Sequence, residues 1–127
     1  MNIPQGLLYT KDHEWVRVDG AVATVGITDF AQGELGDVVF VQLPAVGKHV
    51  AQGDSFGTIE AVKAVADIYS PVSGEITEVN STLADKPEAM NQDPYGAGWV
   101  AKIKVSNLAA DRSHLMDASA YTDFTSA

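Results

Sequence analysis

The lysine at position 63 is the residue whose type and setting most directly suggest chemistry. It is the only Lys or Arg between Lys48 and Lys86. The same interval contains these carboxylates: Asp54, Glu60, Asp67, Glu75, Glu78 and Asp85. A lone primary amine in an acidic stretch has three interpretations: a solvated turn residue, a Schiff-base nucleophile, or the attachment point of an acyl cofactor.

These interpretations make different demands on the surroundings of Lys63. A Schiff-base lysine must lose its proton easily, through burial or a neighbouring cation, whereas the nearby carboxylates of Glu60 and Asp67 stabilise the ammonium. An attachment point needs an exposed amine on a rigid corner, because a separate enzyme performs the acylation. Composition by itself favours the solvated lysine and leaves the attachment point open.

Other kinds of reactive site find little support. The chain has no cysteine, which excludes thiolate metal sites, disulfides, iron–sulfur clusters and thiol nucleophiles. His13, His49 and His114 lack the i, i+4 spacing of a helical metal site, so no metal is expected. His13 is expected to pack beside Trp15.

The elements that must position Lys63 have the pattern of a β protein, in which glycines and prolines separate short apolar runs. Residues 15–18 and 21–27 flank Asp19-Gly20, a dipeptide that favours a two-residue hairpin turn. Residues 28–35 predict a short helix, capped by Thr28 or Asp29 and ended by Gly36. Residues 37–43 form a continuous apolar run, which predicts a strand buried on both faces.

The middle of the chain has shorter segments. Residues 56–60, 65–69 and 75–80 predict strands between closely spaced corners, an arrangement typical of a sandwich or flattened barrel. Residues 62–64 form one corner and carry Lys63. Residues 81–98 predict an irregular loop and 99–105 a half-buried strand. After Asn107 the composition becomes helical, with Leu108, Leu115 and Met116 as a candidate apolar stripe.

Size and charge limit the classes of function. A chain of 127 residues with a net charge of −9 predicts one domain, residues 1–127. The acidic balance argues against nucleic acid and anionic membranes as partners. No apolar stretch approaches the roughly 18 residues of a membrane-spanning helix, and the first residues lack a targeting pattern. We therefore expect a small soluble, intracellular protein, and as a separate expectation we take it to be a monomer.

Five segments resemble, in order, the glycine cleavage system H protein family. Glu60-Ala61-Val62-Lys63-Ala64, followed by residues 67–75, resembles the lipoylation segment of that family. The other similar segments are residues 9–15, 22–29, 35–41, and 93–96 with Trp99. The resemblance extends over residues 7–124. It implies a mainly β barrel-sandwich hybrid, the hammerhead of lipoyl and biotinyl carriers, with an N-terminal hairpin, a short internal helix and a C-terminal helix.

The resemblance also implies roles for individual residues. Lys63 would bear lipoate in an amide bond. Glu60, three residues before it, and Gly74, eleven after it, would help the lipoylating enzyme to recognise the domain. Ala61 stands where the family commonly has serine, which leaves the amine and its acidic neighbour in place. Biotin carriers favour methionines beside their lysine, so the residues that flank Lys63 here make biotin the less suitable cargo.

Two further carboxylates match positions of the family that contact the amine of the loaded arm. They are Glu14, on the first predicted strand, and Asp67, just past the Lys63 corner. Carboxylates shield and orient an ammonium group. The alternative is that both are ordinary surface acids.

The function that the resemblance implies is that of a carrier without catalytic residues. A pyridoxal-phosphate glycine decarboxylase would load an aminomethyl group onto lipoyl-Lys63, and a tetrahydrofolate-dependent aminomethyltransferase would remove it. An FAD-containing dihydrolipoamide dehydrogenase would reoxidise the arm, and a lipoate ligase or lipoyl/octanoyl transferase would attach it. The location would be a bacterial cytoplasm, or the mitochondrial matrix for a mature organellar form.

Two alternatives remain open at this point. One is a lipoyl carrier for another pathway, such as lipoate relay to 2-oxoacid dehydrogenases. The other is an unmodified acidic β-sandwich module that binds a basic partner.

Overall fold

The structure, a computed structural model, describes residues 1–126 and consists mainly of β-strands in two sheets. The strands are β1 Leu8–Tyr9, β2 Glu14–Asp19, β3 Val22–Ile27, β4 Val38–Gln42, β5 His49–Val50, β6 Ser55–Ala61, β7 Val65–Tyr69, β8 Gly74–Val79 and β9 Ala101–Val105. The helices are α1 Asp29–Leu35, α2 Thr82–Asp85, α3 Ala89–Gln92, α4 Leu108–Arg112 and α5 Ala118–Ser126.

The two sheets form a sandwich-like arrangement. The larger sheet has the strand order β1-β2-β3-β9-β8-β5, and the smaller has the order β4-β6-β7. A continuous core of buried apolar side chains joins them, with Val25, Ile59 and Ile103 among its members. The predicted mainly β fold class is thus confirmed, and within residues 1–126 the sheets do not close into a barrel.

The predicted hairpin and short helix are both present. Strands β2 and β3 pair from Glu14 and Ile27 to Asp19 and Val22, so Gly20 and Ala21 form the turn. Gly20 has φ 63°, and glycine suits the first central position of such a turn because it lacks Cβ strain. Helix α1 follows, and the Thr28 side chain caps it by accepting a hydrogen bond from the Ala31 N–H.

The prediction that residues 37–43 are buried on both faces is wrong. Val38 and Val41 are buried, but the side chains of Val39 and Phe40 are 58% and 50% exposed. A β-bulge lies between Val38 and Phe40 where β4 pairs with β6. The extra residue of a bulge changes the alternation of a strand, so two consecutive apolar residues face solvent.

Three other local predictions need correction. The predicted loop of residues 81–98 contains the two single-turn helices α2 and α3. The C-terminal region contains two helices, α4 and α5, and Met116 forms a β-bridge with Tyr9 between them. His13 stacks on Phe30, with ring centroids 4.4 Å apart, while Trp15 packs against Tyr95.

Within residues 1–126, no helix has the length and hydropathy needed to cross a membrane.

Candidate functional site

Lys63 lies at the tip of the β6–β7 hairpin and is exposed. Glu60 pairs with Val65, and the Ala61 N–H donates to the Ala64 carbonyl at 2.9 Å. Val62 and Lys63 are therefore the two residues of a tight turn. Val62 is 71% exposed, so the tip of the hairpin lies at the surface of the fold.

The hairpin tip is held against the end of helix α1. The Val62 N–H donates to the Asp37 carbonyl at 3.0 Å, and the Lys63 N–H donates to the Leu35 carbonyl at 3.2 Å. Both donors belong to the turn itself, and both acceptors flank Gly36. The backbone that carries the lysine is thus fixed at the turn by hydrogen bonds to a second element, as a rigidly displayed amine requires.

Gly36 makes room for the side chain of Lys63. A Cβ added at Gly36 would lie 3.2 Å from Lys63 Cγ, 3.3 Å from Cδ and 3.4 Å from Cε. The methylene stem therefore lies across the glycine, while its backbone, with φ 77° and ψ −159°, occupies a region that side-chain-bearing residues avoid. The sequence predicts Gly36 as the end of a helix but does not predict its contact with Lys63, because the two residues are far apart in the chain.

Glu60 and Gly74, the two predicted recognition residues, occupy different surroundings. Glu60 is exposed on β6 and lies between Phe40 on β4 and Val65 on β7 in the strand register. Gly74 is buried in β8, where an added Cβ would overlap the carbonyl oxygen of Lys104. Close packing against the backbone of β9 is therefore enough to require glycine at position 74. The role of Glu60 and Gly74 in recognition by the lipoylating enzyme stays a prediction.

One face of β7 leads away from the lysine. Residues two apart on a strand point to the same face, and Val65, Asp67 and Tyr69 alternate with the more buried Ala66 and Ile68. At ~3.3 Å per residue, Val65 and Tyr69 are about 13 Å apart. Asp67 thus lies midway between the Lys63 corner and the far end of the strand.

A cleft of about 450 Å³ opens at that far end. It is lined by Thr10, Lys11, Asp12, Glu14, Gln52, Gly53, Tyr69, Ser70, Pro71, His114, Leu115, Met116 and Phe124. The lining combines apolar side chains with a few polar groups, which is the usual composition of a ligand pocket. Glu14 lies in the cleft and Asp67 does not. The two predicted carboxylates are therefore apart: Asp67 is halfway along β7, and Glu14 is in the cleft at the end of that strand.

Glu14 is a buried acid, contrary to the surface alternative considered for it. Its side chain is 2% exposed. The Thr10 hydroxyl donates to Oε1 at 2.6 Å, and the Tyr69 N–H donates to Oε2 at 3.3 Å. Burial raises the pKa of Glu14 from 4.5 to about 7, although these two hydrogen bonds oppose the shift. A carboxyl that changes charge near neutral pH therefore lies in the cleft.

Helix α5 supplies one wall of the cleft through Phe124, and a buried hydrogen-bond network fixes this helix. The Tyr121 hydroxyl lies 2.7 Å from His13 Nδ1 and 2.7 Å from Thr28 Oγ1. The Tyr121 ring stacks on Tyr9 with the centroids 4.6 Å apart. Burial lowers the pKa of His13 and raises that of Tyr121 to about 12, so both are held neutral at pH 7.

The histidines do not assemble a metal site. Within residues 1–126, no three His, Cys, Asp or Glu side chains lie in a group that could hold a metal ion. His49 is on the β5 strand, 3.8 Å from Glu75, and His114 is on the rim of the cleft.

Comparisons with known proteins agree on one family. The model of the family described as "Glycine cleavage H-protein" matches residues 7–127. A glycine cleavage system H protein from Rubrobacter xylanophilus is 64% identical over 104 residues, covering 82% of each chain. One from Herpetosiphon aurantiacus is 58% identical over 120 residues, covering 94% of this chain and 91% of the relative.

A solved structure is similar in the same way. The crystal structure of a glycine cleavage system H protein from Mycobacterium marinum aligns with a TM-score of 0.86 and 41% identity, covering 98% of this chain and 100% of that one. The sequence segments, the two-sheet fold and these comparisons lead to the same assignment: the chain belongs to the glycine cleavage H-protein family.

Proposed function

We propose that Lys63 carries lipoate in an amide bond and that the arm shuttles the aminomethyl group of glycine between the enzymes of the glycine cleavage system. The observation that carries this proposal is the exposed lysine at a tight turn whose backbone is bonded to helix α1. Tethering turns encounters between a cargo and successive active sites into intramolecular events, at an effective concentration set by the reach of the arm.

The residues present fit a lipoyl arm. The stem of Lys63 already lies across Gly36, and the exposed face of β7 provides a surface from the corner to the cleft. Leu115, Met116 and Phe124 offer apolar walls at the end of that surface. When bound, the lipoyl group would supply two sulfurs that alternate between disulfide and dithiol.

In this proposal Glu14 and Asp67 orient the amine of the loaded arm. Asp67 is exposed halfway along β7, and Glu14 is buried in the cleft. An ammonium in the cleft would favour the ionised form of Glu14, because an opposite charge stabilises a carboxylate. The pair would then form a charge-assisted hydrogen bond shielded from water by the cleft walls.

The chemistry in this proposal belongs to the partner enzymes, and the chain is a non-catalytic carrier. Those partners are the pyridoxal-phosphate decarboxylase, the tetrahydrofolate aminomethyltransferase, the flavin dehydrogenase and an enzyme that acylates Lys63. Residues 1–127 would act as one lipoyl-carrier domain, in the compartment where these enzymes work. Cofactors supply the difficult steps, and the carrier supplies orientation.

The attachment site is tested by intact mass after incubation with a lipoate ligase, lipoate and ATP. The wild-type chain is expected to gain one lipoyl group, and Lys63→Arg none. Lys48→Arg, which changes an exposed lysine on another corner, is the matched control and should be modified like the wild type. Lipoylation of Lys63→Arg, or an unmodified wild type, would refute the proposal.

The role of the two carboxylates is tested by the lifetime of the aminomethyl-loaded protein without partners. We expect Glu14→Gln to shorten this lifetime several-fold, since a neutral amide holds an ammonium less well than a carboxylate. Asp67→Asn should have a smaller effect because Asp67 is exposed, and Glu78→Gln, an exposed acid on β8, serves as the control. An unchanged lifetime in Glu14→Gln removes Glu14 from the cargo site.

A further inference from the structure

An exposed apolar patch lies beside the lysine, and most of it has no role in the cycle described above. It consists of Val39, Phe40, Val62 and Val65, whose side chains are 58%, 50%, 71% and 67% exposed. Apolar side chains grouped on a surface commonly mark an interaction site, whereas single exposed ones need no explanation. We refer to these four residues as the apolar patch.

Strand register brings the patch together. Phe40 pairs with Glu60, and Glu60 pairs with Val65, so these three residues form a row across the small sheet. All three are exposed, and directly paired residues point to the same face. The next row along, Gln42, Thr58 and Asp67, is polar. The apolar surface is thus limited to the end of the sheet that carries Lys63.

The lipoyl arm does not account for the whole patch. The exposed face of β7 lies between Lys63 and the cleft, but β4 is the opposite edge of this three-stranded sheet. Adjacent strands are ~4.8 Å apart, which puts Phe40 and Val65 about 10 Å from each other. An arm that follows β7 would cover Val65 and leave Val39 and Phe40 in water.

We propose that the apolar patch is the docking surface for the enzyme that acylates Lys63, an inference that rests on the proposed function. Acylation takes place at Nζ, so the active site of that enzyme must close over the hairpin tip and the surface beside it. The other enzymes of the cycle act at the distal sulfur end of the arm and can work away from the tip. Glu60, the predicted recognition residue, lies in the middle of the patch.

The chemistry of the step sets the same requirement of close approach. The Nζ nitrogen forms a bond to the carbonyl carbon of an activated acyl donor, a thioester or an acyl-adenylate. The bond from that carbon to the thiol or adenylate breaks, and the leaving group departs with the electron pair. Two protons leave the original ammonium as it becomes an amide N–H.

The charges around the patch indicate what the rest of the partner's surface should be. The exposed carboxylates Asp37, Glu60 and Asp67 lie within or beside the patch, in a chain with a net charge of −9. Complementary potentials guide association and orientation. The acylating enzyme should therefore present an apolar contact bordered by Lys and Arg.

The test uses the double variant Val39→Thr/Phe40→Thr, which keeps residues of high strand propensity. Its kcat/KM for acylation, measured by intact mass with a purified ligase, should fall about tenfold or more, as for a truncated interface anchor. Val46→Thr changes a valine that is 61% exposed beyond the other end of β4 and should behave like the wild type. Prolonged incubation with the ligase then gives the fully lipoylated double variant. The decarboxylase should load this variant with the aminomethyl group at the same rate as it loads the lipoylated wild type.

Each other result overturns the inference. Unchanged acylation means that the ligase does not use the patch. Equal losses in acylation and aminomethyl loading mean that the patch serves all partners. A second measurement needs no variant: the amide signals of Val39 and Phe40 in the wild-type chain should broaden when ligase is added, and unaffected signals would contradict the proposal. If the wild type itself is not acylated, the proposed function fails instead.

Discussion

At the scale of single residues, burial decides what a side chain can do. Lys63 and Glu14 are both charged residue types, yet one is exposed at a turn and the other is 2% exposed in a cleft. Desolvation makes Glu14 an acid that titrates near pH 7. Near pH 7 such a carboxyl exists in both its neutral and its charged form, and a cationic cargo would favour the charged form.

Burial of Glu14 predicts a pH dependence of stability. Its pKa is about 7 in the folded protein against an ordinary 4.5, so the folded state keeps a proton that the unfolded state releases. The resulting stabilisation is complete below the unfolded pKa and is lost as the pH rises through about 7. In Glu14→Gln this loss, about 3 kcal/mol in the free energy of unfolding, should be absent.

The measurement is urea denaturation of the wild type and of Glu14→Gln across this pH range. The difference between the two curves isolates Glu14 from other titrating groups, including His13, whose lowered pKa acts in the opposite direction. A pH-independent difference would show that Glu14 has an ordinary pKa.

At the scale of elements, helix α1 and the β6–β7 hairpin together display the lysine. The helix ends at Gly36, and the carbonyls on either side of this glycine accept the N–H groups of the hairpin tip. Helix α5 is fixed by side-chain hydrogen bonds instead, since the Tyr121 hydroxyl joins it to His13 and Thr28. In both cases a few hydrogen bonds between elements decide the position of a part of the proposed site.

Gly36→Ala is expected to destabilise the fold and disturb the lysine. The backbone at position 36 has φ 77° and ψ −159°, which costs a residue with a side chain about 1–3 kcal/mol in the free energy of unfolding. The added methyl group would also press on the methylene stem of Lys63. Gly33→Ala is the matched control, because that site in the same helix is open and alanine favours helix there. Thermal unfolding and acylation rate are measured together; equal behaviour of the two variants would exclude a special role for Gly36.

Tyr121→Phe tests the contact that holds α5. The variant keeps the ring stacked on Tyr9 but removes the hydroxyl between His13 and Thr28. Loss of a buried bridging hydroxyl should lower the free energy of unfolding by about 1–3 kcal/mol. Chemical denaturation gives this value, and a variant as stable as the wild type would mean that packing alone fixes the helix.

At the scale of the whole molecule, the negative net charge is the property most relevant to association with partners. The net charge is −9, and the proposed acylation of Lys63 would remove one cation from a surface that already carries exposed acids. A field of one sign steers a partner of the opposite sign and depends on ionic strength. Both docking at the hairpin tip and delivery of cargo should therefore be salt-sensitive.

Association of the lipoylated protein with the decarboxylase tests this property. Between about 0.1 M and about 1 M salt the Debye length falls from about 10 Å to about 3 Å. Steered association should slow by about tenfold or more over this range, as followed by stopped-flow fluorescence. A rate that does not change with salt would show that the acidic surface plays no part in the encounter.

Local interactions explain what the sequence predicted well. The β2–β3 hairpin, the cap of α1 at Thr28, the short strands and the Lys63 corner depend on turn residues and on alternation within a few positions. The exact place of the first turn, at Gly20 and Ala21 rather than at Asp19 and Gly20, needed the register of two strands.

The amino-acid sequence by itself determined the family, the type of fold and the lysine at the corner, because motifs and turn chemistry are properties of neighbouring residues. Tertiary structure decided that Glu14 is buried, that a bulge exposes Val39 and Phe40, and that Gly36 lies beneath the Lys63 stem. Desolvation, register and close approach each depend on segments far apart in the chain. Only the packing of these distant segments against one another raises the pKa of Glu14 to about 7 and leaves the apolar patch exposed next to Lys63.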